Sequence, residues 1–370
     1  MLIKDIAVFN PKGLKAKDYI NYIDTSSVED GKLIDIQKLH SNFPSRAQRV
    51  IQENDILISS VRPNLKHNYF VSNQIENGIA STGFIQIRVI SKDVLPKFLY
   101  YYLTEENKVK SYQNIAETSQ STFPSFNKDV IENIEFPKIS LEEQQHIVDI
   151  LGSIDNKIEL LAKEDEKIEK YSNDLFDVFS ENAIHKIKLK DVVSFANTGA
   201  DAIQKAPIVD YDTGVRCARV GDFSNDRPIY EWGFCNIVPE LFSQYQLKQN
   251  DILITRTATL GLAKLIDKDE QAVYNNGLIR IKINNEIACP KYIYRVLKSK
   301  DFIDYIAGIE GASSTRPNMK INYLLEYKFN ILSMAEQLKF NDSYSVLRGR
   351  QLHNQSLIFK LNELKQLYLK

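Results

Sequence analysis

With 370 residues, 43% of them apolar and 26% charged, the chain has the composition of a soluble globular protein and length enough for two or three domains. Its start, Met1-Leu2-Ile3-Lys4-Asp5-Ile6, lacks the basic and then apolar run of a signal peptide, and no apolar stretch approaches the ~20 residues that span a bilayer, so export and membrane classes are excluded and a cytoplasmic location is expected. A formal net charge of -1 argues against a strongly basic nucleic-acid binder, but the total hides an asymmetry: residues 140–182 hold 4 basic and 12 acidic side chains, against 17 and 16 in 1–139, 20 and 17 in 183–332, and 6 and 3 in 333–370.

Taken in chain order, the first clear strand signal is the apolar run from Asp55 to Ser59, followed by another from Phe84 to Ile90. Between them lies a polar loop that includes Ser59, Ser60, Arg62, Asn64 and Lys66. Pro96 to Leu103 reads as a helix with Pro in its first turn. Its Tyr100, Tyr101 and Tyr102 point in different directions, which suits core packing better than a base-stacking platform. A second polar loop carries Ser119, Gln120, Ser121 and Thr122, with Lys128 beyond it.

Pro137 closes a strand-like stretch, and Ser140-Leu141-Glu142-Glu143 has the form of a capping box, in which Ser and Glu side chains satisfy free backbone donors at a helix start. In the helix that follows, Ile147, Ile154, Leu161, Ile168 and Leu175 recur every seven residues, with Leu151, Ile158, Asp165, Ser172 and Phe179 four places after each. That pattern is a heptad seam.

The series then returns. Asn54 to Ile58 reappears as Asn250 to Ile254, Gly83 with its strand as Gly277 with Leu278 to Ile283, and Pro96-Lys97 as Pro290-Lys291. Ser121-Thr122 and Glu143-Gln144 return as Ser314-Thr315 and Glu336-Gln337, the offset drifting only from 196 to 193. Matches in one order at nearly one offset mark an internal duplication. The second strand is followed by Thr255, Arg256, Thr257 and Thr259, and the second loop holds Ser314, Thr315 and Arg316, with Asn318 and Lys320 beyond. Ser333 to Glu336 repeats the capping box, and Phe340, Tyr344, Leu347, Gln351, Asn354, Ile358, Leu361, Lys365 and Tyr368 form a more polar second seam.

The opposite net charges of the two helices favour their pairing, with the polar seam residues fixing the register; separate packing of each helix on its own domain is the alternative. The predicted fold class is α+β: two similar mixed α/β domains, 1–139 and 183–332, separated by long helices at 140–182 and 333–370 that form an antiparallel two-helix coiled coil, with pseudo-two-fold symmetry and one domain at each end of the rod. The loop residues named above in both domains are the candidate DNA contacts. Hydroxyls suit phosphates, while Arg and Asn suit the major-groove edges of guanine and adenine. Any one of these loops alone reads first as an ordinary solvated turn, and it is their occurrence at corresponding places in both halves that makes the signal more specific.

Tyr22-Ile23-Asp24-Thr25-Ser26-Ser27, Asn54-Asp55-Ile56-Leu57, Ser121-Thr122, Leu141-Glu142-Glu143-Gln144-Gln145 leading into Ile154-Asp155, and Gly214 to Asp222 resemble the specificity subunits of type I restriction-modification systems over essentially the whole chain. The second helix departs from the family's Glu-Gln-Gln start, reading Ala335-Glu336-Gln337-Leu338. The resemblance implies two target-recognition domains that read a bipartite site in double-stranded DNA. It also implies partnership with DNA methyltransferase (modification) subunits and a restriction (translocase/endonuclease) subunit, and no catalysis or cofactor in this chain. The residues agree: there is no Walker A run, the nearest approach to an adenine-methyltransferase motif, Phe9-Asn10-Pro11-Lys12, lacks the second Pro and the aromatic ring, and the five His are scattered. Cys217, Cys235 and Cys289, without CxxC spacing, read as buried apolar residues, so neither a metal site nor a disulfide is expected. The alternatives are a stand-alone bipartite DNA-binding protein and a coiled-coil interaction scaffold.

Overall fold

The computed structural model describes residues 1–11, 18–29, 31–118, 124–183, 185–201, 203–311 and 318–369. The chain divides into two compact units, one of residues Met1–Leu160 with Ile358–Lys370 and the other of Leu161–Leu357.

In the first unit an antiparallel sheet places strands in the order Ala7–Phe9, Phe84–Val89, Ile56–Ser59 and Tyr69–Phe70. A second sheet runs Gln37–Leu39, Ile20–Ile23, Gly78–Ser81 and Ala47–Val50, its central pair parallel. The second unit repeats the plan. Its first sheet runs Val193–Thr198, Leu278–Ile283, Ile252–Thr255 and Ala263–Leu265, and its second pairs Arg216–Ala218 in parallel with Ala272–Tyr274. Phe84 faces Ser59 as Leu278 faces Thr255.

Why the repeated strand is apolar at every position follows from its two cores. Ile56 and Ile58 point into one hydrophobic cluster and Leu57 into another, and in the second unit Ile252 and Ile254 are divided from Leu253 in the same way. A strand covered on both faces needs no polar alternation. The Asn-Asp pair before each strand is structural too. Asn54 and Asn250 both take the left-handed conformation, at φ 69°, that Asn tolerates well. Asp55 accepts a paired hydrogen bond from Arg88 at 2.7 Å and one from Gln86, and Asp251 accepts the Lys248 amide with Arg280 close by.

The helices Pro96–Leu103 and Pro290–Val296 start at the prolines that the sequence marks. Tyr100 and Tyr101 are core residues, and the Tyr102 hydroxyl donates to the Glu135 carbonyl, so the triplet packs rather than stacks on bases. All three cysteines are buried and free of disulfides.

The long helices cover Leu141–Ser180 and Met334–Tyr368. Both capping boxes form: the Glu143 amide donates to Ser140 Oγ while the Ser140 amide donates to Glu143 Oε2, and Ser333 and Glu336 do the same. Within each unit the two helices run antiparallel. In the first, Leu151 packs in the same cluster as Leu369, and Lys365 Nζ lies 2.5 Å from Asp155. In the second, Phe176 and Phe179 pack on Phe340, Glu164 pairs with Arg350, and Asn354 donates to Asp165 at 2.9 Å. The charge asymmetry is thus used in ion pairs between the helices, and two of the polar seam positions, Asp165 and Asn354, meet each other.

Asp165 carries a testable consequence. Burial raises its pKa, with Asn354 and nearby arginines pulling the other way, and Asn354 Oδ1 is buried without a hydrogen-bond partner. An acid with a raised folded pKa contributes stability that is full below its unfolded pKa and lost as pH rises through the folded one, so the charged form at neutral pH costs stability. Asp165→Asn removes that cost and offers Asn354 Oδ1 a donor, and about 1 kcal/mol of gain is expected at pH 7. Thermal melts at pH 7 and pH 4 check this: the variant should melt higher at pH 7, and its advantage should shrink in acid.

Candidate nucleic-acid interface

In each unit the loop after the repeated strand is held by two other segments. The Ser60 amide and hydroxyl both donate to the Gly83 carbonyl at 2.9 Å, the Phe126 amide donates back to the Ser60 carbonyl, and the Arg62 amide donates to Pro124. Val61 and Ser125 form an isolated bridge. In the second unit the Arg256 amide donates to the Gly277 carbonyl at 2.9 Å, the Met319 amide donates to the Arg256 carbonyl, and Thr257 bridges Asn318. Three segments therefore meet at one junction, and the same junction is built twice. The loop backbones also agree where the chain is least free to choose: Arg62 at φ 48° and Ala258 at φ 61° are both left-handed at matching positions.

The side chains on this shared backbone differ. Ser60 in one unit corresponds to Arg256 in the other. The Arg256 guanidinium is fixed by two main-chain acceptors, its Nε donating to Met319 at 3.2 Å and its Nη1 to Asn276 at 3.0 Å, which holds the planar group in one orientation. Arg62, Asn64 and Lys66 are exposed, and the Asn64 amide donates to Gln113 Oε1. Thr257 is half-buried, and Thr259 is exposed with Ser224 Oγ 3.4 Å away.

Two of the predicted contacts are placed differently. Ser59 and Thr255 are buried at the strand ends: Ser59 Oγ donates to the Val61 carbonyl, and Thr255 Oγ1 accepts the Leu262 amide. In this conformation their hydroxyls bond within the loops. Lys128 is exposed, but its charge is partly offset by Glu132 and Asp129. Lys320 is exposed at the start of the short helix Ile321–Leu325. Ser121, Thr122, Ser314, Thr315 and Arg316 lie outside the described residues. The segments just beyond them, Pro124 to Phe126 and Asn318 to Met319, dock on the first loop in each unit.

Sequence reasoning missed the third member of the junction. Gly83 and Gly277 served there only as repeat landmarks, yet their carbonyls anchor the loops. An added Cβ would stand 3.0 Å from Thr25 at Gly83 and 2.8 Å from Val220 at Gly277. A glycine opening a strand at the same place in both halves was the available signal. Among the described residues no group of three or more His, Cys, Asp or Glu is arranged to hold a metal, and no helix is long and apolar enough to cross a membrane.

Comparison with known proteins agrees with the duplication. The family model for the type I restriction modification DNA specificity domain matches the chain twice, over residues 3–170 and 183–347. A stretch of 156 residues is 31% identical to the type I restriction enzyme HindI specificity subunit of Haemophilus influenzae, covering 42% of this chain and 34% of that protein. Another of 188 residues is 28% identical to the MjaIX specificity subunit of Methanocaldococcus jannaschii, covering 47% of this chain and 41% of that one. The matched part thus spans well under two thirds of the length of these curated relatives. Among solved structures, the type I restriction-modification S subunit from M. genitalium shares the fold at a TM-score of 0.58 and 15% identity, over 100% of this chain and 94% of that one.

Proposed function

Because the chain belongs to the type I restriction-modification DNA specificity family, we propose that it reads a bipartite site in double-stranded DNA, with 1–139 and 183–332 as the two readers. In this reading 140–182 and 333–370 position methyltransferase and restriction subunits, which perform the chemistry. The observation that carries the proposal is the doubled junction: one loop backbone, held by the same hydrogen bonds, presents Ser60 in one unit and Arg256 in the other. A scaffold that repeats its main chain while changing its side chains is what two different half-sites require, because phosphate contacts position and base contacts specify.

The test is exchange. Replacing residues 1–139 by the equivalent domain of a relative should alter one half of the methylated sequence and leave the other intact, as read by genome-wide methylation mapping in a strain carrying the partner subunits. A change in both halves together would defeat modular reading, and failure to copurify with a methyltransferase would defeat the assignment to such a complex.

Arg256→Ala is expected to cost about 1–3 kcal/mol of binding to the target duplex and to relax selectivity at one position, as loss of a paired guanine contact does. Affinities for target and random duplexes, measured at one salt concentration, check this. An equal loss on both would make Arg256 a phosphate contact, and no loss on either would remove it from the interface.

A further inference from the structure

The edge strand Ala47–Val50 and the residue before it carry two cations, Arg49 and Arg46, that the paired loops do not explain. It pairs with Gly78–Ser81 through a register shift between Ala47 and Arg49, and the Thr82 amide, next to the anchoring Gly83, donates to the Arg46 carbonyl at 2.8 Å. Arg46 is exposed and Arg49 half-buried. Among the described residues no carboxylate forms an ion pair with either, and Arg49 Nε is buried without a hydrogen-bond partner. Burial alone lowers the Arg49 pKa, with no charged group opposing it. A desolvated guanidinium without an acceptor is costly, and a bulge at a sheet edge is a common way to aim a side chain at a ligand. In the second unit the helix Pro239–Tyr245 reaches the sequence place of this strand, and Ala272–Tyr274 stands at the sheet edge, so the feature belongs to the first unit alone.

We propose that Arg46 and Arg49 are DNA contacts of the first unit, in which the Arg49 guanidinium meets a backbone phosphate beside the Ser60 to Lys66 loop. The proposal rests on the reading of the chain as a DNA-recognition protein and adds a basic contact that the sequence motifs do not mark.

Binding of the full chain to a mixed-sequence DNA duplex, followed over a range of salt concentrations, tests this with Arg49→Gln, Arg49→Lys and Arg46→Gln. The slope of log K against log salt should be shallower by about 1 in Arg49→Gln and should return in Arg49→Lys, because the slope counts charges neutralised on phosphates. The Tm of free Arg49→Gln should match or exceed that of the wild type, since a phosphate-binding guanidinium leaves no bond behind in the unliganded chain. An unchanged slope in Arg49→Gln overturns the proposal, as does a slope loss that Lys does not restore. Arg46→Gln, on the exposed side, gives the same reading independently of any effect on folding. Absence of salt-dependent binding by the wild type would instead overturn the DNA-recognition reading itself, and this proposal with it.

Discussion

A Glu169→Ala chain is expected to lose about 3 kcal/mol of stability in its second unit, near the lower end of what stranding a buried charge costs, because Glu169 itself is about a third exposed. The partner left behind is Arg295, only 1% exposed, on the helix Pro290–Val296. Its Nη1 lies 2.9 Å from Glu169, its Nη2 meets Asn173, and its Nε has no partner. Without Glu169, one amide oxygen and the Tyr344 ring face a full positive charge. Arg295→Met, which removes the charge and keeps most of the volume, is expected to be nearly neutral. Urea unfolding followed by the fluorescence of Trp232, the single and buried tryptophan, reads this unit directly. Equal losses in the two variants would contradict the argument. Acid gives a second readout. Burial raises the Glu169 pKa, but Lys298 and Arg295 outweigh it and the net shift is downward. A depressed folded pKa gives stability present above the unfolded value of about 4.3 and lost as pH falls through the folded value, so the wild type should weaken in that window more than Glu169→Ala does.

Gln144→Leu and Gln337→Leu should each cost about 2–4 kcal/mol, more than a change of similar volume on a helix surface would suggest. Gln144 is fully buried. Its Oε1 accepts the Leu95 amide at 2.8 Å and its Nε2 donates to the Asp93 carbonyl at 2.8 Å. Gln337 repeats the arrangement, accepting the Cys289 amide and donating to Leu332. Leu at either place removes the acceptor from one backbone amide and the donor from one carbonyl, each loss costing about 1–3 kcal/mol where the group stays out of water. Gln→Glu separates the two halves of the amide, because a carboxylate can still accept from Leu95 or Cys289 but can donate only when protonated. The Glu variants should therefore be closer to wild type in mildly acidic solution than at neutral pH, while the Leu variants show no such recovery in melting experiments.

The pairs above show where the sequence was legible. Glu143-Gln144 and Glu336-Gln337 stood out as repeated, and the capping role of each Glu follows from local spacing alone, with Ser three residues before it. The role of each Gln does not, because the amide that its Oε1 accepts lies about fifty residues away, at the start of a different helix. The same division runs through the interface. The continuous apolar strand, the left-handed Asn before it and the polar loop after it are local and readable. That Ser59 and Thr255 turn inward, and that Gly83 and Gly277 anchor the loops, depends on a turn and a docking segment brought in from elsewhere in the chain. The unpaired Arg49 was invisible for the same reason: an arginine without a partner looks in sequence like any other.

The first unit is discontinuous, built from Met1–Leu160 and Ile358–Lys370, whereas the second is one unbroken stretch, Leu161–Leu357. Lys365 reaches Asp155, and Leu369 packs on the cluster that holds Leu151, so the first unit draws on the last residues of the sequence. The second unit therefore has all its parts within one run of chain, while the first stays open along its long helix until Ile358–Lys370 joins it. Truncation within 358–370 should leave the tryptophan-bearing unit folded and expose the first unit to proteolysis.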